Sequence, residues 1–256
     1  MEPSRNTAPC ARRIPLMDEL RGFAVFCMVF YHAFYTLSLL LGWQWCKALL
    51  QFFAPAEPWF AGIFLFLSGV ACQLSRSNVR RGLRLLFVAA GVSVATILFV
   101  PQEAVYFGIL HLLSVCMILV GLTKPWLDRI PLWVGLAICT AGFLSTMYLY
   151  RGFLGIASIP LVSLPDSLYT TNLLMPLGIY SSSFFSSDYF PLFPWMFVFL
   201  GGVLLGRYAT PERLPAFAYR PHVPFLSFLG RHALIFYIAH QPLIYGLGLL
   251  IQWLSP

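Results

Sequence analysis

Residues 22–41 read GFAVFCMVFYHAFYTLSLLL, an unbroken run without a Lys, Arg, Asp or Glu. About 20 apolar residues are what an α-helix needs to cross roughly 30 Å of hydrocarbon. Similar runs recur along the chain between clusters of charge. They place spans near Gly22–Leu41, Trp59–Leu74, Leu83–Val100, Tyr106–Leu122, Pro131–Tyr150, Phe190–Tyr208 and Gly230–Leu254. The expectation is an all-α integral membrane protein of about seven transmembrane helices.

Composition agrees with that reading. Of 256 residues, 59% are hydrophobic and 10% charged, and the mean hydropathy is +0.80. A water-soluble domain spends about a quarter of its residues on charge. Lys and Arg near span ends are retained on the cytoplasmic side. With seven spans and a cytosolic N-terminus, 14 of the 16 basic residues fall inside, among them Arg5, Arg12, Arg13, Arg21, Arg76, Arg80, Arg81, Arg84 and Arg213, and only Lys47 and Arg151 fall outside. The C-terminus is then external. The expected location is the cell membrane, with the chain crossing it several times as one domain over residues 1–256.

The net charge of +7 follows from this sidedness, because the cations sit at helix ends and not on one face; no nucleic-acid partner is expected. The basic start followed by an apolar run could be a signal peptide, but a run of about 20 residues with no small-residue cleavage site reads as a retained first span. The cysteines, Cys10, Cys27, Cys46, Cys72, Cys116 and Cys139, show no CxxC or Cys/His spacing, so neither a metal site nor a disulfide framework is indicated.

Two connections stand out. The run SRSNVRRGLR (residues 75–84) packs four Arg into about two helical turns; it is either a stop-transfer signal or an anion site, with Asn78 placed to hydrogen-bond the same ligand. The stretch Gly152–Tyr189 is long, rich in Ser, Pro and aromatics, and without evident secondary structure. Loops of that length tend to be functional, which makes it the expected acceptor-facing surface.

Ionisable side chains are costly inside an apolar span and usually mark a site. His32, His111 and His240 are the candidates. His32 lies 11 residues after Arg21 on one helix; that spacing returns a side chain to within about 20° of the same face, about 16 Å further along. An Arg at the mouth and a His at mid-membrane suit a long anionic donor such as a coenzyme A thioester. Its phosphates would bind the Arg, and its reactive end would reach an imidazole acting as general base. The alternative is that His32 only bonds a neighbouring helix while Arg21 snorkels. His240, next to Pro242, either orients His32, lines an acyl channel or simply packs. His111 lies near the outer end of its span. Asp188 either binds an acceptor hydroxyl or amine, or caps the helix beginning at Tyr189 or Phe190. Asp18 and Glu19 either pair with Arg12, Arg13 or Arg21, or occupy the favourable end of the helix dipole.

In order along the chain, MDELRGFAVFCMVFYH (17–32), FLFLSGVACQLSRSNVRRGLRLL (64–86), FGILHLLSV (107–115), SSDYFPLFPWMFVFLGGVLLGR (186–207) and FLGRHALIFYIAHQPLI (228–244) resemble the heparan-alpha-glucosaminide N-acetyltransferase catalytic-domain-like family of bacterial membrane proteins. In the wider transmembrane acyltransferase superfamily the first span carries an Arg and a His at the spacing of Arg21 and His32, and a cytosolic Arg-x-x-Arg is similar to Arg81 and Arg84. The resemblance implies transfer of an acetyl or other acyl group from cytosolic acyl-CoA to a sugar or glycan acceptor, without a metal. His32 would be catalytic, assisted by His240 and Asp188, and Arg21, Asn78, Arg81 and Arg84 would hold the donor. One departure limits it: the lysosomal heparan enzyme carries Asn where this chain has His32, so the heparan substrate is not carried over. The competing function is a proton-coupled transporter or permease in which the buried histidines relay protons.

Overall fold

A computed structural model describes residues 14–156, 158–209 and 214–254; Arg5, Arg12, Arg13, Arg213 and Cys10 lie outside the described residues. In chain order the α-helices are α1 (Pro15–Leu41), α2 (Gln44–Phe53), α3 (Glu57–Gln73), α4 (Asn78–Phe99), α5 (Ile109–Leu127), α6 (Leu132–Thr146), α7 (Leu192–Gly206), α8 (Pro224–Arg231) and α9 (Ala233–Leu254). A hairpin of β1 (Phe153–Ile156) and β2 (Ile159–Ser163) follows α6. Six segments are long and apolar enough to cross a membrane: 15–41, 44–73, 78–99, 109–127, 132–151 and 233–254. The protein is an all-α integral membrane protein. Large apolar side chains such as Phe87, Phe99, Trp133 and Trp253 are exposed, an arrangement that lipid tolerates and water does not.

The expected span at Phe190–Tyr208 is shorter than its sequence suggests. α7 has 15 residues, about 22 Å at 1.5 Å per residue, because Phe193 takes an extended conformation (φ −101°, ψ 129°) ahead of Pro194. The last expected span is also divided. α8 ends at His232 (φ −108°, ψ 21°), and α9 starts at Ala233.

The chain divides into two compact units, one made of residues 1–64 and 208–256 and the other of 65–207. In the first, α1 packs on α2, α8 and α9. α1 starts on Pro15, whose fixed φ suits the first helical turn, and stops at Gly42 (φ 63°), whose N–H reaches Ser38 O at 3.1 Å. α1 and α8 cross at Gly22 and Gly230, with backbone against backbone: a Cβ on Gly22 would strike Leu226 O and one on Gly230 would strike Asp18 O. Glu19, 5% exposed, holds the start of α8. One of its oxygens accepts from His222 N (2.6 Å), Val223 N (2.9 Å) and Ser227 Oγ (3.2 Å), and the other lies 3.4 Å from His222 Nδ1.

In the second unit α4 packs on α5, and α7 on α5 and α6. α3 and α7 approach closely through small residues, since Gly69 faces Phe199 O and Gly202 faces Phe66 O. At one end, Lys124 donates to Gln73 Oε1 and lies 3.4 Å from Asp128, while Arg207 donates to the carbonyls of Leu127 and Ile130 and lies 3.7 Å from Asp128. Those contacts close the C-terminal carbonyls that α5 leaves without helical partners.

The long connection after α6 is structured. β1 and β2 pair antiparallel, Phe153 opposite Ser163, and two short 3₁₀ turns follow at Asp166–Tyr169 and Met175–Leu177. Its end is stapled to the start of α5 by Ser187 Oγ to Glu103 O (2.7 Å), Tyr106 N to Ser186 Oγ (3.2 Å) and Phe190 N to Phe107 O (3.0 Å). Tyr180, Phe184 and Tyr189 form a three-ring cluster with centroids 5.0–5.3 Å apart. Burial, with Tyr180 beside it, pushes the Tyr189 hydroxyl up, so it stays protonated as the donor to Met175 O (2.6 Å).

Candidate active site

In the first unit α1 and α9 bring two of the expected histidines together. The rings of His32 and His240 have centroids 5.1 Å apart and are tilted by 57°. Thr36 lies one turn after His32 on the same face of α1. Its hydroxyl donates to Gln241 Oε1 (3.0 Å), and the Gln241 amide nitrogen lies 2.9 Å from His32 Nδ1. His240 turns its Nδ1 toward two carbonyls of its own helix, Tyr237 O at 2.7 Å and Phe236 O at 3.1 Å. Its Nε2 is buried and has no hydrogen-bond partner among the described residues. His32 is thus oriented by Gln241, and His240 by its own backbone.

Gln241 and Thr36 were not among the residues the sequence singled out. A signal for both exists: Gln241 adjoins His240 in AHQP, and Thr36 stands four residues from His32. A polar side chain in a span usually bonds across helices.

At the start of α1, Arg21 Nη1 lies 3.4 Å from Asp18 Oδ1, with both side chains mostly buried. Of the alternatives open for the acidic pair, Asp18 takes Arg21 and Glu19 takes the start of α8.

In the second unit Ser77 caps α4, its hydroxyl accepting from Arg80 N at 3.4 Å. Asn78 is buried; its amide donates to Cys72 O (2.9 Å), and its Oδ1 has no partner among the described residues. Arg80, Arg81 and Arg84 are exposed. Three guanidinium groups in the first two turns oppose the positive end of the helix dipole, so an anion there is electrostatically favourable.

Asp188 does not cap the helix that follows it. α7 begins at Leu192 with Pro191 ahead of it, and Asp188 Oδ2 instead accepts from Ile109 N at 3.3 Å, at the first turn of α5. Gly108 lies directly against this carboxylate. His111, one turn on, stacks on Phe107 (5.6 Å) and faces Ser93 Oγ at 3.4 Å. Among the described residues no group of three or more His, Cys, Asp or Glu is placed to hold a metal ion.

These features define a multi-pass α-helical membrane protein that buries a His–His–Gln–Thr constellation within apolar helices. The chain belongs to the family described as heparan-alpha-glucosaminide N-acetyltransferase, catalytic, which it matches over residues 13–242. That membership implies a membrane acetyltransferase-like function. No curated protein and no solved structure matches the chain.

Proposed function

We propose that the protein moves an acetyl or other acyl group from cytosolic acyl-CoA to a sugar or glycan acceptor, with a buried imidazole as general base. The observation that carries this reading is the His32–His240 pair, 5.1 Å between centroids and held from α1 and α9 inside an apolar span. Two neutral imidazoles in such surroundings supply proton transfer without fixed charge. Arg21, 11 residues before His32 on α1, is the donor's phosphate contact, an incoming phosphate competing with Asp18 for the guanidinium. The basic run of α4 is assigned separately as an anion-binding surface, Arg81 and Arg84 supplying charge and Asn78 a hydrogen bond. Asp188 retains a role toward the acceptor only if its cap on α5 is exchanged for an acceptor hydroxyl. The excess of Arg at particular helix ends supports a cytosolic N-terminus.

The test is calorimetric binding of acetyl-CoA to detergent-purified protein, comparing the native chain with Arg21→Ala, Arg81→Ala and Arg84→Ala. Micromolar binding weakened by these changes supports the donor assignment. A folded protein that does not bind acetyl-CoA removes the acyltransferase reading and favours a proton-coupled transporter.

A further inference from the structure

The hydrogen bonds around the histidine pair fix which ring nitrogens carry protons. Thr36 donates to Gln241 Oε1, so the amide nitrogen of Gln241 is the group that meets His32 Nδ1 at 2.9 Å. An amide NH₂ can only donate. His32 Nδ1 is therefore the acceptor, and the His32 proton sits on Nε2. His240 has the opposite arrangement. Its Nδ1 faces two carbonyl oxygens at 2.7 and 3.1 Å, which only accept, so Nδ1 carries the proton and Nε2 carries a lone pair. That Nε2 is buried and unpartnered among the described residues. His32 has no hydrogen-bonded partner other than Gln241 among the described residues.

The two rings thus present one N–H donor and one bare acceptor within a 5.1 Å centroid separation, a gap one oxygen atom can bridge. The group that satisfies both must donate and accept. An ammonium only donates and a carboxylate only accepts, and neither is readily desolvated into an apolar span. A hydroxyl does both.

We propose that the nucleophile received by this pair is an alcohol hydroxyl, that His240 and not His32 is its general base, and that the chain is an O-acyltransferase. This assignment rests on the acyltransferase reading above. The hydroxyl donates to His240 Nε2 and accepts from His32 Nε2–H, which orients its remaining lone pair. Its oxygen attacks the thioester carbonyl carbon while its proton passes to His240 Nε2. The C–S bond then breaks, and the leaving thiolate takes the proton back from His240. The products are an ester and free coenzyme A, and His240 returns neutral. Gln241 and Thr36 are positioning residues that hold the His32 tautomer.

Two measurements test this. Solid-state nitrogen NMR of protein in bilayers, with isotope-labelled histidine and signals assigned by difference from His32→Gln and His240→Gln, reads the tautomers directly and needs no substrate. His32 is expected as the Nε2–H form and His240 as the Nδ1–H form. In Gln241→Glu the new carboxylate can only accept, so the His32 proton moves to Nδ1 while the His240 signals stay. Native His32 already in the Nδ1–H form overturns the proposal. The second measurement incubates native membranes containing the protein with radiolabelled acetyl-CoA and asks whether the transferred label is cleaved by hydroxylamine. Cleavable label, reduced at least about a hundredfold in His240→Gln, is the expected result. Label stable to hydroxylamine is an amide and overturns the hydroxyl assignment while leaving the acyltransferase reading intact. No transferred label removes both, whatever the tautomers.

Discussion

The Glu19 carboxylate of α1 accepts the backbone N–H of Val223, the N-cap residue of α8, at 2.9 Å, and of His222 beside it at 2.6 Å. A helix start has orphan N–H groups, and here a buried anion from another helix satisfies the approach to it. Glu19→Ala leaves these donors without an acceptor and should cost about 2 kcal/mol. Glu19→Gln, which keeps an acceptor oxygen, should recover about half. Thermal unfolding of the detergent-solubilised protein checks both; equal losses would show that negative charge, not hydrogen-bond acceptance, is what α8 requires.

The α1–α8 crossing makes a separate prediction. A Cβ at Gly230 would meet Asp18 O and Gly22 N of the opposing backbone, whereas nothing lies within 4 Å of one at Gly246. Backbone cannot rotate away as a side-chain tip can, so Gly230→Ala should destabilise by about 1–3 kcal/mol. Gly246→Ala, on open helix, should be neutral or slightly stabilising. Parallel melts of the two variants compare them; a neutral Gly230→Ala would mean that α8 can slide off α1 without loss.

How far the sequence discloses this molecule varies by element. The spans are legible because about 20 apolar residues have few alternatives to crossing a bilayer. α7 is harder, since the apolar pattern continues through Phe193 and Pro194 although the helix does not. The hairpin is hidden because its strands have four and five residues, too few for alternation to show, and a Pro stands in the second. His32 and His240 are visible as ionisable groups in apolar surroundings. Gln241 and Thr36 are not, because an uncharged polar residue in a span is common and its meaning depends on which helix faces it. Likewise the partner of Asp188 lies 79 residues away, beyond any local capping pattern.

Asp188 therefore has a structural duty that any catalytic duty must coexist with. Asp188→Ala removes the acceptor from Ile109 N and should lower stability by about 1 kcal/mol. Asp188→Asn keeps an oxygen at the same place and should restore most of it. If Asp188 also acts on the acceptor as a carboxylate, Asp188→Asn will be stable and yet slow in acyl transfer; normal label transfer by this variant assigns the residue to capping alone.

The basic run of α4 provides the prediction that depends most on solution conditions. Arg80, Arg81 and Arg84 are exposed, and no ion-pair partner for them is found among the described residues, so their field reaches the solvent without a neighbouring carboxylate to cancel it. A polyphosphate donor bound there should lose affinity as salt rises, because the Debye length shrinks from about 10 Å at 0.1 M to about 3 Å at 1 M. Replacing Arg81 by Ala should weaken acetyl-CoA by about five- to tenfold, from one charge-assisted contact of roughly 1 kcal/mol or more. Arg81→Lys should recover only part of that, since a point charge cannot reproduce a planar two-pronged contact. The decisive comparison is the salt dependence: the Ala variant should show a shallower slope of log affinity against log salt than the native chain. An identical slope would mean that the phosphates do not sit on Arg81, leaving this run its topological duty alone.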